Sequence, residues 1–169
     1  MAASFAQIPT SDRSGNRQDL IHFSFGTAGA QNGAVEFVRG LPYSDVGGDG
    51  ASGNGWELES VILGALVNGT WTDASLTATV EKTDGGTNML ATAPIITDDA
   101  GTGARNTAAS GTGITQAVVH ATEANRRLAD GAGFIVTVTE TGSAGGGADP
   151  EDVYVTLTFS RLQDFDPAA

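Results

Sequence analysis

The chain contains no cysteine in 169 residues. Disulfide staples, thiolate metal sites and cysteine nucleophiles are therefore excluded. Loop-rich secreted domains commonly depend on disulfides, so this absence points to a bacterial or viral protein made in a reducing cytoplasm. Histidine is nearly missing too. His22 and His120 are the only two, far apart in sequence, and each reads as a structural or surface residue. A histidine metal site needs partners at helix or hairpin spacing, and neither histidine has them. No P-loop, dinucleotide fingerprint or G-x-S-x-G elbow occurs. A triad that assembles only in space is not excluded this way.

Basic residues are also scarce: 8 Lys and Arg stand against 20 Asp and Glu, for a net charge of −12. The acid is spread evenly, with ten acids and four bases in each of residues 1–84 and 85–169. Such a surface keeps a protein soluble and repels nucleic acid and anionic membrane. No run of 18 apolar residues exists, so no membrane-spanning helix is expected. Met1–Thr10 lacks the basic start and apolar centre of a secretory leader. Aromatics make up only 7% of the chain. Trp56 and Trp71 are the side chains able to stack on a sugar, and core or edge packing is the plainer reading of both.

What is abundant is glycine, 24 residues, about twice the usual share. The glycines gather in three segments, 40–55, 98–113 and 142–150, which marks long loops. The first holds Asp45 and Asp49, but neither the spacing nor a following glutamate fits a calcium loop. No metal or cofactor site is expected.

Between the loops the chain alternates. The stretch from Trp56 to Lys82 is central: Asn68-Gly69 separates two apolar runs and reads as a hairpin turn. Leu76, Ala78 and Val80 share one face of the second run, and Thr77, Thr79 and Glu81 the other. Asp84-Gly85-Gly86 offers a further reversal, so a β-meander is predicted here. Strands are also predicted at Leu20–Phe25, with Ile21, Phe23 and Phe25 inward, and at Ala34–Arg39, with Val35 and Phe37 inward. Gly133–Thr141 places Phe134, Val136 and Val138 on one face, and Val153–Phe159 alternates most cleanly of all. Residues 116–129 carry alanines and a leucine at helical spacing, but Val118-Val119 favours an extended reading. Glu57 and Glu59 are predicted to share a solvated strand face. Seven or eight such strands with almost no helix predict an all-β chain. Its architecture is an antiparallel β-sandwich of jelly-roll type, with long Gly-rich loops.

Three parts are expected: an extended N-terminal arm over 1–19, one sandwich domain over 20–162, and an acidic tail over 163–169. The arm shows no strand period. It is either a frayed terminus or a segment that orders against a neighbouring subunit through Phe5, Ile8 and Pro9, with Arg13 and Arg17 beside them. Arg126-Arg127 is the only basic pair outside the arm. Two arginines are too few for a nucleic-acid groove, so the pair reads as a partner contact or as surface charge.

Residues 64–81 run G-x-x-x-x-G-T-x-T-D-A-S-L-T-A-T-V-E. Arg127-Leu-Ala-Asp-Gly131 then leads into Phe134–Thr139, and Val153–Phe159 closes the chain. Over about residues 56–160 this arrangement resembles the small β-sandwich or jelly-roll proteins of tailed-bacteriophage structural gene blocks, many of them capsid decoration (cement) proteins. The resemblance implies a non-enzymatic virion protein, made in a bacterial cytoplasm. It would bind the major capsid protein on the outer capsid surface as a homotrimer and bridge capsid subunits, without nucleic acid or membrane as partner. The alternatives are a carbohydrate-binding or adhesin-type sandwich module and another phage head or tail structural protein.

Overall fold

A computed structural model describes residues 4–10, 20–27, 33–41, 55–68, 72–129, 131–143 and 149–162. In chain order the elements begin with β1 (Ser4–Thr10), β2 (Leu20–Gly26), β3 (Ala34–Gly40), β4 (Gly55–Asn68) and β5 (Thr72–Lys82). Short strands follow: β6 (Leu90–Thr92), β7 (Ile95–Thr97), β8 (Gly103–Asn106), β9 (Ile114–Thr115) and β10 (Val118–Val119). A 3-10 turn at Asp98–Ala100 separates β7 from β8. One helical turn, α1 (Glu123–Arg126), leads into β11 (Arg127–Ala129), and β12 (Gly133–Ser143) and β13 (Glu151–Leu162) finish the fold.

These strands make two main antiparallel sheets. One runs β1-β2-β13-β4-β11, with β8 also paired to β4; the other runs β3-β12-β5-β7-β9, and β10 pairs β6 separately. The sheets pack face to face, as the alternation predicts. Ile21, Phe23 and Phe25 of β2 are buried, as are Phe134, Val136 and Val138 of β12, and Val153, Val155, Leu157 and Phe159 of β13. Phe134 joins the layers: its ring lies 5.4 Å from Phe23 and 5.1 Å from Phe159, across from its own sheet. Edge-to-face and tilted pairs of this kind add about 0.5–1.5 kcal/mol each beyond area burial. These pairings make an antiparallel β-sandwich.

The predicted meander needs correction. β4 and β5 flank Asn68-Gly69, yet they do not pair: β4 lies beside β13 in one sheet and β5 beside β12 in the other. Asn-Gly permits a reversal but does not choose the partner. β13 runs along β4 from Glu151↔Val67 to Leu162↔Gly55, and β12 along β5 from Phe134↔Lys82 to Ser143↔Thr72. These long ladders bury both apolar faces, which a local hairpin between β4 and β5 would leave unlayered. The reversal at Asp84-Gly85-Gly86 does form, with the Lys82 N–H donating to Thr87 O at 2.9 Å and the Gly86 N–H to Lys82 O at 3.2 Å.

β4 alternates in two halves. Trp56 and Leu58 are buried, and so are Val61, Leu63 and Ala65, on the opposite parity. The switch is a β-bulge. Thr158 pairs Ser60 and Phe159 pairs Leu58, which leaves Glu59 as the extra residue. One inserted residue turns the following side chains over to the other face. Both halves of the strand therefore face the same core.

Residues 4–10, which show no period of their own, form β1 against β2, from Ser4↔Gly26 to Thr10↔Leu20. A ladder uses backbone groups, so a strand at the end of a sheet needs no apolar alternation. Pro9 is tolerated there because an edge strand has one unpaired side. The Gly-rich 98–113 segment is likewise more than a loop, since it contains the 3-10 turn and β8. Over 116–129 both readings hold in part: the chain is extended at β10 and β11, with the single turn of α1 between.

Candidate functional site

The densest set of charged contacts gathers where β11 and α1 cover the start of β4. Glu57 points away from the core, but β11 pairs directly over it, Arg127↔Glu57, and leaves the residue 9% exposed. Arg126 Nε donates to Glu57 Oε1 at 2.6 Å and Arg127 Nε to Oε2 at 2.8 Å. Arg127 Nη1 also reaches Glu123 Oε2 at 2.5 Å, and Arg126 Nη1 donates to the carbonyls of His120 and Ala121 at 3.2 Å each. Burial pushes the Glu57 carboxyl up, but the hydrogen bonds from Arg127 and Arg126, with their charges, outweigh it and hold the group below its ordinary value. Glu57 is thus not a solvated like-charge neighbour of Glu59. Both its oxygens are taken by guanidiniums, so it serves as a clasp and not as a base. Glu59 accepts instead from the Ser160 hydroxyl.

The same corner holds His120. Its Nδ1 accepts from the Thr122 N–H at 3.2 Å, and its Nε2 lies 3.1 Å from the Asn125 amide, so the ring braces α1. His22 sits on the outer sheet face with Nδ1 3.0 Å from Thr158 Oγ1. Among the described residues neither histidine joins a carboxylate. Among the described residues no group of three or more His, Asp or Glu is placed to hold a metal ion, and no helix is long and apolar enough to cross a membrane.

The sequence-predicted contact residues that are described stand in β1, α1 and β11. Phe5, Ile8 and Pro9 stand in β1 opposite Phe25, His22 and Ile21. Arg13 and Arg17 lie outside the described residues, as do Trp71, Asp45 and Asp49. Arg126 and Arg127 sit on Glu57, in the half-buried clasp on the side of β4 away from the core. Trp56 is 4% exposed, opposite Leu128 in the ladder, and offers no face to a sugar.

Two polar positions were not legible in sequence. Thr107, in the second Gly-rich segment, is 2% exposed; its N–H donates to Leu63 O at 2.9 Å and its Oγ1 accepts the Leu63 N–H at 3.0 Å. A threonine among Gly, Ala and Asn carries no signal of that role. Glu140 ends the inward row of β12 and is 9% exposed. Among the described residues no donor reaches its Oε2. Burial, then the charge and hydrogen bond of Asp149, push its carboxyl up.

One cleft of about 390 Å³ opens on β4, lined by Glu59, Ser60, Ile62, Ala108, Gln116 and Val118 among others. No protein-family model matches the chain, and no curated protein is significantly similar to it.

Proposed function

We propose that the chain is a non-enzymatic virion structural protein, a decoration protein that binds the outer surface of a capsid and bridges its subunits. The observation that carries this reading is an antiparallel sandwich in a strongly acidic chain. The net charge is −12, and two of the eight basic residues, Arg126 and Arg127, are consumed on Glu57. An anionic exterior of this kind disfavours contact with packaged nucleic acid and suits a module that stays outside. The resemblance over residues 56–160 supports the same reading. The major capsid protein is the partner in it, and a homotrimer is the form that gains from three weak contacts at once.

Mass measurement in solution and co-sedimentation with undecorated tailed-phage heads test the proposal together. A trimer that pellets with heads, and protects them against heating, is the expected result. A monomer that ignores heads and binds polysaccharide sinks it in favour of a sugar-binding sandwich.

A further inference from the structure

β3 is the last strand of its sheet, and β12 pairs it along one side without a bulge. The Leu41 N–H donates to Ala132 O at 2.9 Å, and the Glu140 N–H to Gly33 O at 3.0 Å. These bonds fix the phase of the ladder, so residues 33, 35, 37, 39 and 41 turn their backbone groups to β12. Ala34, Glu36, Val38 and Gly40 therefore aim N–H and C=O at the open edge. No strand among the described residues meets them there. The same four residues are exposed, Val38 at 65%. Phe37 points the other way, onto Phe25 of the facing sheet with ring centroids 5.4 Å apart, and is itself half-buried.

Native edges are commonly guarded by a proline, a lysine, a bulge or shortness. β1, at the end of the other sheet, has such a guard. The Thr27 N–H donates to Val153 O, so residues 21, 23 and 25 of β2 bond β13, and residues 20, 22, 24 and 26 bond β1. Their partners are Thr10, Ile8, Ala6 and Ser4. Pro9, which has no N–H, is left on the open side of β1. β3 has no proline, lysine or bulge in its seven residues, a length of roughly 20 Å at about 3.3 Å per residue. Its one outward charge is Glu36.

We propose that the β3 edge is a self-association surface, on which a second copy of this chain lays its own β3 antiparallel about a two-fold axis at Phe37. In that register Ala34 meets Gly40 and Glu36 meets Val38, so all four outward-bonding residues are used twice over. Arg39 stands opposite Val35, and no like charges are opposed. An axis at Glu36 sets the two glutamates face to face, and an axis at Val38 leaves Ala34 beyond the partner strand. Seven residues are well short of the roughly 20–30 a side of a stable interface, so the contact is weak. It leaves single chains or trimers separate in dilute solution and joins them when they are crowded. The inference stands apart from the function proposed above.

Sedimentation equilibrium of the full chain over a wide concentration range is the test. Reversible self-association at high concentration is expected. Val38→Glu sets two carboxylates opposite each other and should weaken it at least about threefold, whereas Val38→Lys sets an ammonium opposite Glu36 and should tighten it by a similar factor. Both changes are at an exposed position, and an unaltered unfolding midpoint confirms the fold. The chain has no cysteine, so Glu36→Cys and Val38→Cys, mixed and mildly oxidised, read the register directly. The 36–38 pair lies within disulfide range and like pairs lie diagonally outside it, so the mixed dimer should exceed either like dimer at least about tenfold. No association at any concentration, weakening by both Val38 variants alike, or disulfides in statistical proportions each overturns the proposal.

Discussion

Two buried glutamates pull stability in opposite directions with pH. Glu57 has its carboxyl held below the ordinary value, so the stability it brings is present above the unfolded-state pKa of about 4.3 and is lost as pH falls through the lowered folded value. Glu57→Gln should therefore cost about 1.5–3 kcal/mol at pH 7, the range for a hydrogen bond to a charged group, and should flatten the acid limb of a urea-stability profile. Glu140 has its carboxyl raised. Its neutral form suits the folded state, so its contribution is full below the unfolded-state pKa and is lost as pH rises through the raised value. Glu140→Gln should stabilise the protein at neutral pH and remove that decline; an unchanged profile would show that burial of this carboxyl costs nothing. Gly64 is a third single-residue constraint. The phenol end of the Tyr154 ring lies against it, and a Cβ there would collide with the ring. Glycine is required by that contact and not by backbone conformation.

At the scale of elements, β4 shows how much of a strand is legible. Its two apolar halves are plain in sequence, and both are buried. Their opposite parity is also plain, but it implies one face only after a bulge is inserted, and which residue bulges depends on the register with β13. Deleting Glu59 should force Trp56 and Leu58 out of the core or break the ladder. The loss is on the order of 3–6 kcal/mol for two large apolar side chains, whereas Glu59→Ala should cost only about 1–3 kcal/mol, by removing the acceptor of the buried Ser160 hydroxyl. Denaturation followed by tryptophan fluorescence in a Trp71→Phe background, where Trp56 is the one tryptophan, separates the two. Thr107→Val leaves the Leu63 N–H without its acceptor at a buried site. It should cost about 1–3 kcal/mol, the penalty of an unmade buried hydrogen bond. The helical spacing at 116–129 turned into a single turn because α1 is held by side chains from outside it: Glu57 takes its arginine, and Lys82 Nζ donates to Ala124 O. An isolated helix of that length has no stability of its own.

The whole molecule depends on the aromatic joint between the sheets. Phe134 is fully buried and contacts Phe23, Phe25 and Phe159. Phe134→Ala should cost about 3–5 kcal/mol in equilibrium denaturation, the range for a truncated core phenylalanine. A much smaller loss would mean that the two layers are not locked through this ring. β1 and β3 stand at the ends of their sheets. Removing residues 1–19 to test an adhesive arm therefore also removes the strand that covers β2, and head binding must be compared at matched stability.

The sequence alone determined the periods: which residues face inward on β2, β5, β12 and β13, that the class is all-β and antiparallel, and that the surface is acidic. Those follow from side-chain alternation and composition, which are local. The tertiary structure decided what pairs with what. It separated β4 from β5 across Asn68-Gly69, paired β1 with β2, placed Arg126 and Arg127 on Glu57 and set Thr107 against Leu63. Each of these joins residues distant in the chain, and a ladder or an ion pair between distant residues leaves no spacing for a single sequence to display.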